Sequence, residues 1–156
     1  MTQLPPAADL DSAAVDTSAI VSTLRVRYSE TDQMGFVYHP AYLVWCEIAR
    51  TDFLRALGFA YADLEKAGWL LAVTEVEIRY SAPGRYDDVV AVSCTVKRVQ
   101  SRSVTFSYQI TRLDPGPEQR LASAMTRLVA LDRAGAPRTL PPDLLARFRD
   151  AIVSTS

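Results

Sequence analysis

The stretch SETDQMGFVYHPAYLVW, residues 29–45, brings together the residue types that could do chemistry in this chain. Asp32 is followed by Gly35 and then by His39, the only histidine of the 156-residue chain. A carboxylate in a loop can act as a nucleophile or as a general base, and it can also do no more than cap its own turn. These residue types alone favour the cap.

The residues after His39 predict a helix that would position this loop. Proline is favoured at the first position of a helix and disfavours a helical conformation for the residue before it. We therefore expect His39 to be the N-cap of a helix from Pro40 to about Leu57, ended by Gly58. The first amides of a helix are unpaired and carry a partial positive charge. Because Pro40 lacks an N–H, the His39 backbone N–H is the expected donor to the carbonyl oxygen of a reacting ligand.

The predicted helix is apolar on more than one face, which is typical of a buried helix. Gly35 is expected either to let the loop pass close to a substrate or to adopt a positive φ.

The remaining pattern is mostly of period two and predicts antiparallel strands joined by short loops. We expect an α+β single domain in which an antiparallel sheet of about five strands curls around one long buried helix. Residues 1–20 are expected to be a disordered leader, and 21–156 the domain. The predicted strands are 23–28, 73–80, 89–99, 103–112 and 121–131, and the other predicted helices are 61–66 and 141–152.

Composition narrows the function classes. A formal net charge of −1 indicates no general affinity for nucleic acid or an anionic membrane. Cys46 and Cys94 have no metal-like spacing and are predicted to be buried thiols, and no metal or cofactor is expected. No secretory signal and no membrane span is recognised, so a cytoplasmic location is expected.

Tyr28–Trp45, YSETDQMGFVYHPAYLVW, resembles the signature of the 4-hydroxybenzoyl-CoA thioesterase family. The likeness continues through GRYDDVVAVSCTVKRVQSRSVTFSYQI and covers nearly all of residues 24–131. The residues that match patterned positions are Asp32, Gly35, Val37, Tyr38, His39 and Tyr42.

The resemblance implies a hot-dog fold and hydrolysis of an acyl-CoA thioester, with Asp32 as nucleophile or general base. It also implies a homodimer or a homotetramer (a dimer of dimers), with sites at the interface and no cofactor beyond the CoA of the substrate. In this family the nucleotide lies over a basic hairpin. The residues of this chain expected there are Lys97, Arg98 and Arg102, although a solvated sheet edge is the plainer reading. Further basic candidates are Arg127, Arg133 and Arg138.

Several roles remain open. Tyr38 and Tyr42 are expected either to contact substrate or to pack in the core, and the same holds for Tyr61, Trp69 and Tyr80 as an aromatic pocket. Glu47, inside the apolar helix, is expected to pair with Arg50. The acyl group is left open among benzoyl-type, short branched and medium aliphatic groups. The alternatives are a dehydratase or hydratase using His39 and Glu47, a thioesterase acting on an acyl carrier protein, and a non-catalytic acyl-CoA-binding protein.

Overall fold

The computed structural model describes residues 19–153, and these form one five-stranded antiparallel sheet with the strand order β1-β3-β4-β5-β2. This confirms the expected sheet. The strands are β1 Ile20–Arg25, β2 Leu70–Tyr80, β3 Val89–Val99, β4 Ser103–Asp114 and β5 Gln119–Leu131. The helices are α1 Ala41–Ala56, α2 Tyr61–Lys66 and α3 Pro142–Val153, and a 3-10 turn covers Tyr28–Glu30. Residues 1–18 of the predicted leader lie outside the described residues. Strand β1 begins at Ile20, the last residue of that predicted leader.

One face of the sheet is covered by helices. Alternate side chains of the central strands are buried on this face, as in the series Val90, Val92, Cys94 and Val96 of β3. Phe106 of β4 contacts the ring of Phe53 in α1 and the ring of Phe148 in α3. Both helices therefore pack on the same side of the sheet. Since successive side chains of a strand point to opposite faces, every second side chain of the central strands is buried beneath these helices.

Helix α1 is buried on one face only, so the expectation of a fully buried helix is wrong for the single chain. Trp45 and Phe53 lie on the buried face. Leu43, Val44 and Ile48 on the opposite face are 36%, 48% and 39% exposed. A single sheet covers one side of a helix, which leaves the second apolar side of α1 uncovered.

Several boundaries differ from the prediction, and two of them flank the loop that carries Asp32. The N-cap of α1 is Pro40 and not His39, because Tyr38 accepts a hydrogen bond from the Ala41 N–H and closes a turn that leads into the helix. Strand β1 ends at Arg25, and Tyr28 lies exposed in the 3-10 turn. The alternating pattern continues past the strand because Val26 remains buried, and its N–H still donates to the Asp88 carbonyl at 2.9 Å.

The antiparallel register defines two ends of the sheet. At the first, which we call the Asp32 end, Tyr80 closes β2, Val89 opens β3 and the turn before α1 lies close by. At the other, the hairpin end, β3 and β4 are joined through Gln100–Arg102. The 11 residues of β3 separate the two ends by about 33 Å. Within residues 19–153, no helix is long and apolar enough to cross a bilayer.

Candidate active site

The carboxylate of Asp32 organises its own loop through one oxygen. Its Oδ1 accepts the backbone N–H of Met34 at 2.9 Å and, more weakly, that of Phe36 at 3.4 Å. The Asp32 and Phe36 backbones pair at 2.9 Å, and Gly35 closes the loop with φ +80°. The positive φ expected of Gly35 is confirmed, and a Cβ there would meet no atom of the described chain within 4 Å. Among the described residues, Asp32 Oδ2 has no hydrogen-bond partner.

A second loop of the chain repeats this arrangement away from the first. Asp132 Oδ1 accepts the N–H groups of Ala134 and Ala136, both at 2.9 Å, and Gly135 has φ +86°. The turn-capping role of an aspartate is therefore present at both positions. What distinguishes Asp32 is that it also lines a cleft.

Asp32 lines a cleft of about 390 Å³ at the Asp32 end of the sheet. Its wall is mainly apolar and aromatic, with the start of α1 on one side and the segment after β2 on the other. The lining residues are Asp32, Met34, Phe36, Val37, His39, Tyr42, Tyr80, Ser81, Ala82 and Pro83. A volume of this size is typical of small-molecule sites.

His39 also lines this cleft. Within residues 19–153, no hydrogen-bond acceptor pairs with its backbone N–H, while the Tyr38 carbonyl of the same peptide accepts the Ala41 N–H at 2.9 Å. The His39 N–H thus points away from that hydrogen bond, one residue before the N-cap of α1. An unpaired amide at a helix start can stabilise an anionic oxygen.

Tyr42 and Gly84 link the start of α1 to the segment after β2, and the sequence interpretation missed Gly84. The Tyr42 hydroxyl accepts the Gly84 N–H at 3.1 Å, and burial raises the pKa of Tyr42 although this hydrogen bond lowers it. The Gly84 carbonyl accepts the Val37 N–H at 2.8 Å. A Cβ on Gly84 would lie 2.9 Å from Val37 Cγ2. The only signal in the sequence was a Pro-Gly pair after a strand, which indicates a turn and not a close approach.

The Asp32 loop is also anchored from behind by a buried carboxylate. Glu30 Oε2 accepts the Arg27 backbone N–H at 2.8 Å, and Oε1 accepts Trp45 Nε1–H at 3.1 Å and Arg27 Nη2–H at 3.0 Å. Burial acts to raise the pKa of Glu30, but these hydrogen bonds outweigh it and hold that pKa below its ordinary value of 4.5. The Glu30 carbonyl accepts the Tyr38 N–H at 2.7 Å, which links this anchor to the turn before α1.

The structure brings together only part of the predicted site. Asp32, His39, Tyr42 and Tyr80 line the cleft, whereas exposed Tyr38 stacks edge-on against the His39 ring outside the lining. The basic residues Lys97, Arg98 and Arg102 are exposed at or beside the hairpin end, far from Asp32 in the same chain.

The other aromatic and basic candidates have structural partners at the hairpin end. Tyr61 donates to the Leu71 carbonyl, and Trp69 packs under the Arg138 guanidinium at 3.7 Å. Arg138 also donates to the Gly68 carbonyl, and Arg133 donates to the Lys66 carbonyl. These contacts hold the end of α2 against the segment before α3. Arg127 donates to Thr74 on the neighbouring strand.

The expected Glu47–Arg50 pair is wrong. Glu47 lies on the exposed face of α1, where water solvates it and no partner is needed. Arg50 instead donates to the Tyr108 hydroxyl at 3.2 Å, and that hydroxyl also bonds Thr126 Oγ1 at 2.7 Å. Glu47 is not among the residues that line the cleft with His39.

Comparison with known proteins agrees with this fold. The model of the thioesterase-like superfamily matches residues 26–148. The putative acyl-CoA thioesterase YneP of Bacillus subtilis is 41% identical over 87 residues, which make up 56% of this chain and 63% of YneP. The acyl-CoA thioester hydrolase YbgC of Escherichia coli is 30% identical over 127 residues, 81% of this chain and 92% of YbgC. The DHNA-CoA thioesterase of Staphylococcus aureus superposes with a TM-score of 0.82 at 28% identity, covering 88% of this chain and 93% of that one. This chain therefore belongs to the thioesterase-like superfamily and is a thioester hydrolase with the hot-dog fold.

Proposed function

We propose that this protein hydrolyses an acyl-CoA thioester to the free acid and CoA, with Asp32 as nucleophile or general base. The observation that carries the proposal is the pairing of two unsatisfied groups at one cleft. Asp32 Oδ2 and the His39 N–H both lack partners among the described residues, and both residues line the cleft. One group can supply the attack and the other can stabilise the oxyanion.

The two routes differ in the bond that Asp32 makes. In the nucleophilic route, Oδ2 bonds to the acyl carbon, the carbon–sulfur bond breaks, and CoA leaves as a thiolate. Water then hydrolyses the mixed anhydride to the free acid and the Asp32 carboxylate, and the proton that this water gives up goes to the thiolate. In the base route, Oδ2 takes a proton from the water that attacks the same carbon, and that proton goes to the leaving thiolate. In both routes the acyl oxygen becomes negatively charged and accepts the His39 N–H. No metal or cofactor takes part in either route.

The lining of the cleft supports a compact apolar acyl group. Phe36, Tyr42 and Tyr80 provide aromatic surface, and Met34 and Val37 provide aliphatic surface. Aryl, short or medium acyl groups suit such walls. Tyr38 remains a candidate for contact with the pantetheine arm, because it stacks beside His39 at the rim.

We propose that the CoA phosphates are bound by Lys97, Arg98 and Arg102 of a second copy of the chain. None of the three forms an ion pair with a carboxylate in the described part of the chain. About 33 Å of strand separates them from the Asp32 end of their own chain. The apolar face of α1 and the exposed edge strand β2, with Val73 and Val76, support a homodimer or a dimer of dimers. The buried free thiols of Cys46 and Cys94 support the expected cytoplasmic location.

The test of the proposed function is thiol release from a panel of aryl-, short- and medium-chain acyl-CoAs. Asp32→Asn keeps an acceptor at Oδ1 for the loop and removes the reactive carboxylate. Asp132→Asn makes the same change in the same kind of loop outside the cleft and serves as the matched control. We expect kcat to fall by at least about 100-fold in Asp32→Asn and to stay at the wild-type value in Asp132→Asn.

Equal activity of Asp32→Asn and wild type would overturn the role of Asp32. CoA-ester binding without turnover would favour a binding protein. Turnover only of acyl groups on a carrier protein would replace CoA as the substrate carrier. Mixing Asp32→Asn with an Arg98→Ala/Arg102→Ala double variant tests whether a second copy contributes to each site. If it does, the mixture should regain part of the wild-type kcat/KM, because some sites then combine an intact Asp32 with intact arginines.

A further inference from the structure

We propose that Tyr80 is a positioning residue that holds the His39 N–H in place for the oxyanion, an inference that rests on the proposed function. Tyr80 is the last residue of β2 and lines the cleft. Its hydroxyl donates to the His39 carbonyl oxygen at 2.9 Å. His39 lies directly before the Pro40 N-cap, so this hydrogen bond joins the end of the edge strand to the start of α1.

His39 is held from both sides of its Cα. On the N-terminal side, the Tyr38 carbonyl accepts the Ala41 N–H at 2.9 Å, which orients the peptide that carries the His39 N–H. On the C-terminal side, Tyr80 alone among the described residues binds the His39 carbonyl. Pro40 has no N–H with which to fix this turn, and His39 is itself exposed. Without the Tyr80 hydroxyl, the peptide before Pro40 loses its restraint, so His39 is held from its N-terminal side only and its N–H can tilt.

Tyr80 is itself held against a fixed neighbour. Its ring contacts the Tyr42 ring edge-on, with centroids 5.2 Å apart. Tyr42 is buried in α1, and its hydroxyl is held by the Gly84 N–H. Because the ring is set by this contact and only the hydroxyl reaches His39, the two contributions of Tyr80 can be separated by mutation.

The Tyr80 ring forms part of the cleft wall, and the Tyr80 hydroxyl restrains the residue that carries the His39 N–H. Removing a whole oxyanion donor costs about 100- to 1,000-fold in rate, and tilting one should cost part of this. We therefore expect Tyr80→Phe to lower kcat by about 10-fold with KM within about twofold of wild type, which is the signature of an interaction made only in the transition state. Tyr80→Leu, which also removes the ring, should lower kcat to a similar extent and raise KM.

The matched control is Tyr61→Phe. Tyr61 also donates its hydroxyl to a backbone carbonyl, that of Leu71, but it lies at the hairpin end. We expect Tyr61→Phe to keep the wild-type kcat and KM. The His39 amide resonance should shift in Tyr80→Phe and stay in place in Tyr61→Phe, which reports on the donor without any turnover.

The outcomes separate this inference from the proposed function. If Asp32→Asn is inactive but Tyr80→Phe keeps the wild-type kcat while Tyr80→Leu does not, only the ring of Tyr80 matters. The inference is then wrong. An unchanged His39 resonance in Tyr80→Phe also overturns it. If wild type hydrolyses no thioester, the proposed function fails, and the amide shift still decides whether Tyr80 holds His39.

Discussion

Replacing Glu30 with glutamine tests whether a buried carboxylate anchors the Asp32 loop. Glu30 is 9% exposed and accepts two hydrogen bonds from buried or part-buried donors, the Arg27 backbone N–H and Trp45 Nε1–H, one at each oxygen. A glutamine side chain keeps the size of Glu30 but has only one acceptor oxygen. One of these two donors must therefore face an amide NH₂ and lose its partner.

The cost follows from the charge of the acceptor. A hydrogen bond to a charged group contributes about 1.5–3 kcal/mol. The ion pair with Arg27 adds little, because the Arg27 side chain is 69% exposed and solvent screens it. We therefore expect Glu30→Gln to lower the free energy of unfolding by about 2 kcal/mol at neutral pH, or to shift a urea midpoint by about 1 M.

The direction of the Glu30 pKa shift determines how this stabilisation changes with pH. Since the hydrogen bonds hold the folded-state pKa of Glu30 below 4.5, the stabilisation is complete above that value and is lost as the pH falls through the folded-state pKa. Urea unfolding followed by tryptophan fluorescence should show a wild-type advantage at neutral pH that shrinks below 4.5. Glu77→Gln, which alters an exposed pair with Arg79, should be neutral. A Glu30→Gln protein as stable as wild type at neutral pH would refute this reasoning, and so would a difference that does not change with pH.

Three further predictions concern backbone and core. Gly84→Ala should cost about 1–3 kcal/mol of stability and also reduce turnover, since its Cβ would meet Val37 Cγ2 at 2.9 Å in the cleft wall; wild-type stability would contradict the close approach. Gly35→Ala should cost about 1 kcal/mol in urea unfolding despite open space around it, because φ is +80°; a stabilised variant would contradict this. Burial raises the pKa of the Cys46 thiol to about 12 and raises that of Cys94 as well. Native protein should therefore not react with a disulfide reagent near pH 8, whereas denatured protein should react at both thiols; fast reaction of the native protein would show that the core opens readily.

Local pattern was sufficient for much of the fold. Val89–Val99 and Tyr61–Lys66 have the bounds predicted from alternation and from the flanking glycines. Strand β1 was predicted at 23–28 but lies at Ile20–Arg25, because alternation continues through Val26, which stays buried and bonded to Asp88 beyond the strand. The uncovered face of α1 could not be foreseen, since an apolar helix face does not specify what covers it.

Some residues of the candidate site could likewise be predicted from the sequence, and others could not. Asp32, Gly35 and His39 lie within one short segment, so their proximity follows from the chain. The contributions of Tyr80 and Gly84 depend on how β2 ends against the start of α1, which is a tertiary contact that no spacing encodes. Glu47 was misjudged for a related reason, because burial was inferred from apolar neighbours of which several are exposed.

The most direct test of the central claim is the ratio of kcat in Asp32→Asn to kcat in Asp132→Asn, measured by thiol release on the best acyl-CoA substrate. Both variants keep an acceptor for the turn-capping hydrogen bonds, and of the two positions only Asp32 lines the cleft. The account predicts a ratio of about 0.01 or less, with the two unfolding midpoints close to wild type. A ratio near one would mean that Asp32 only caps its turn and that the chemistry lies elsewhere.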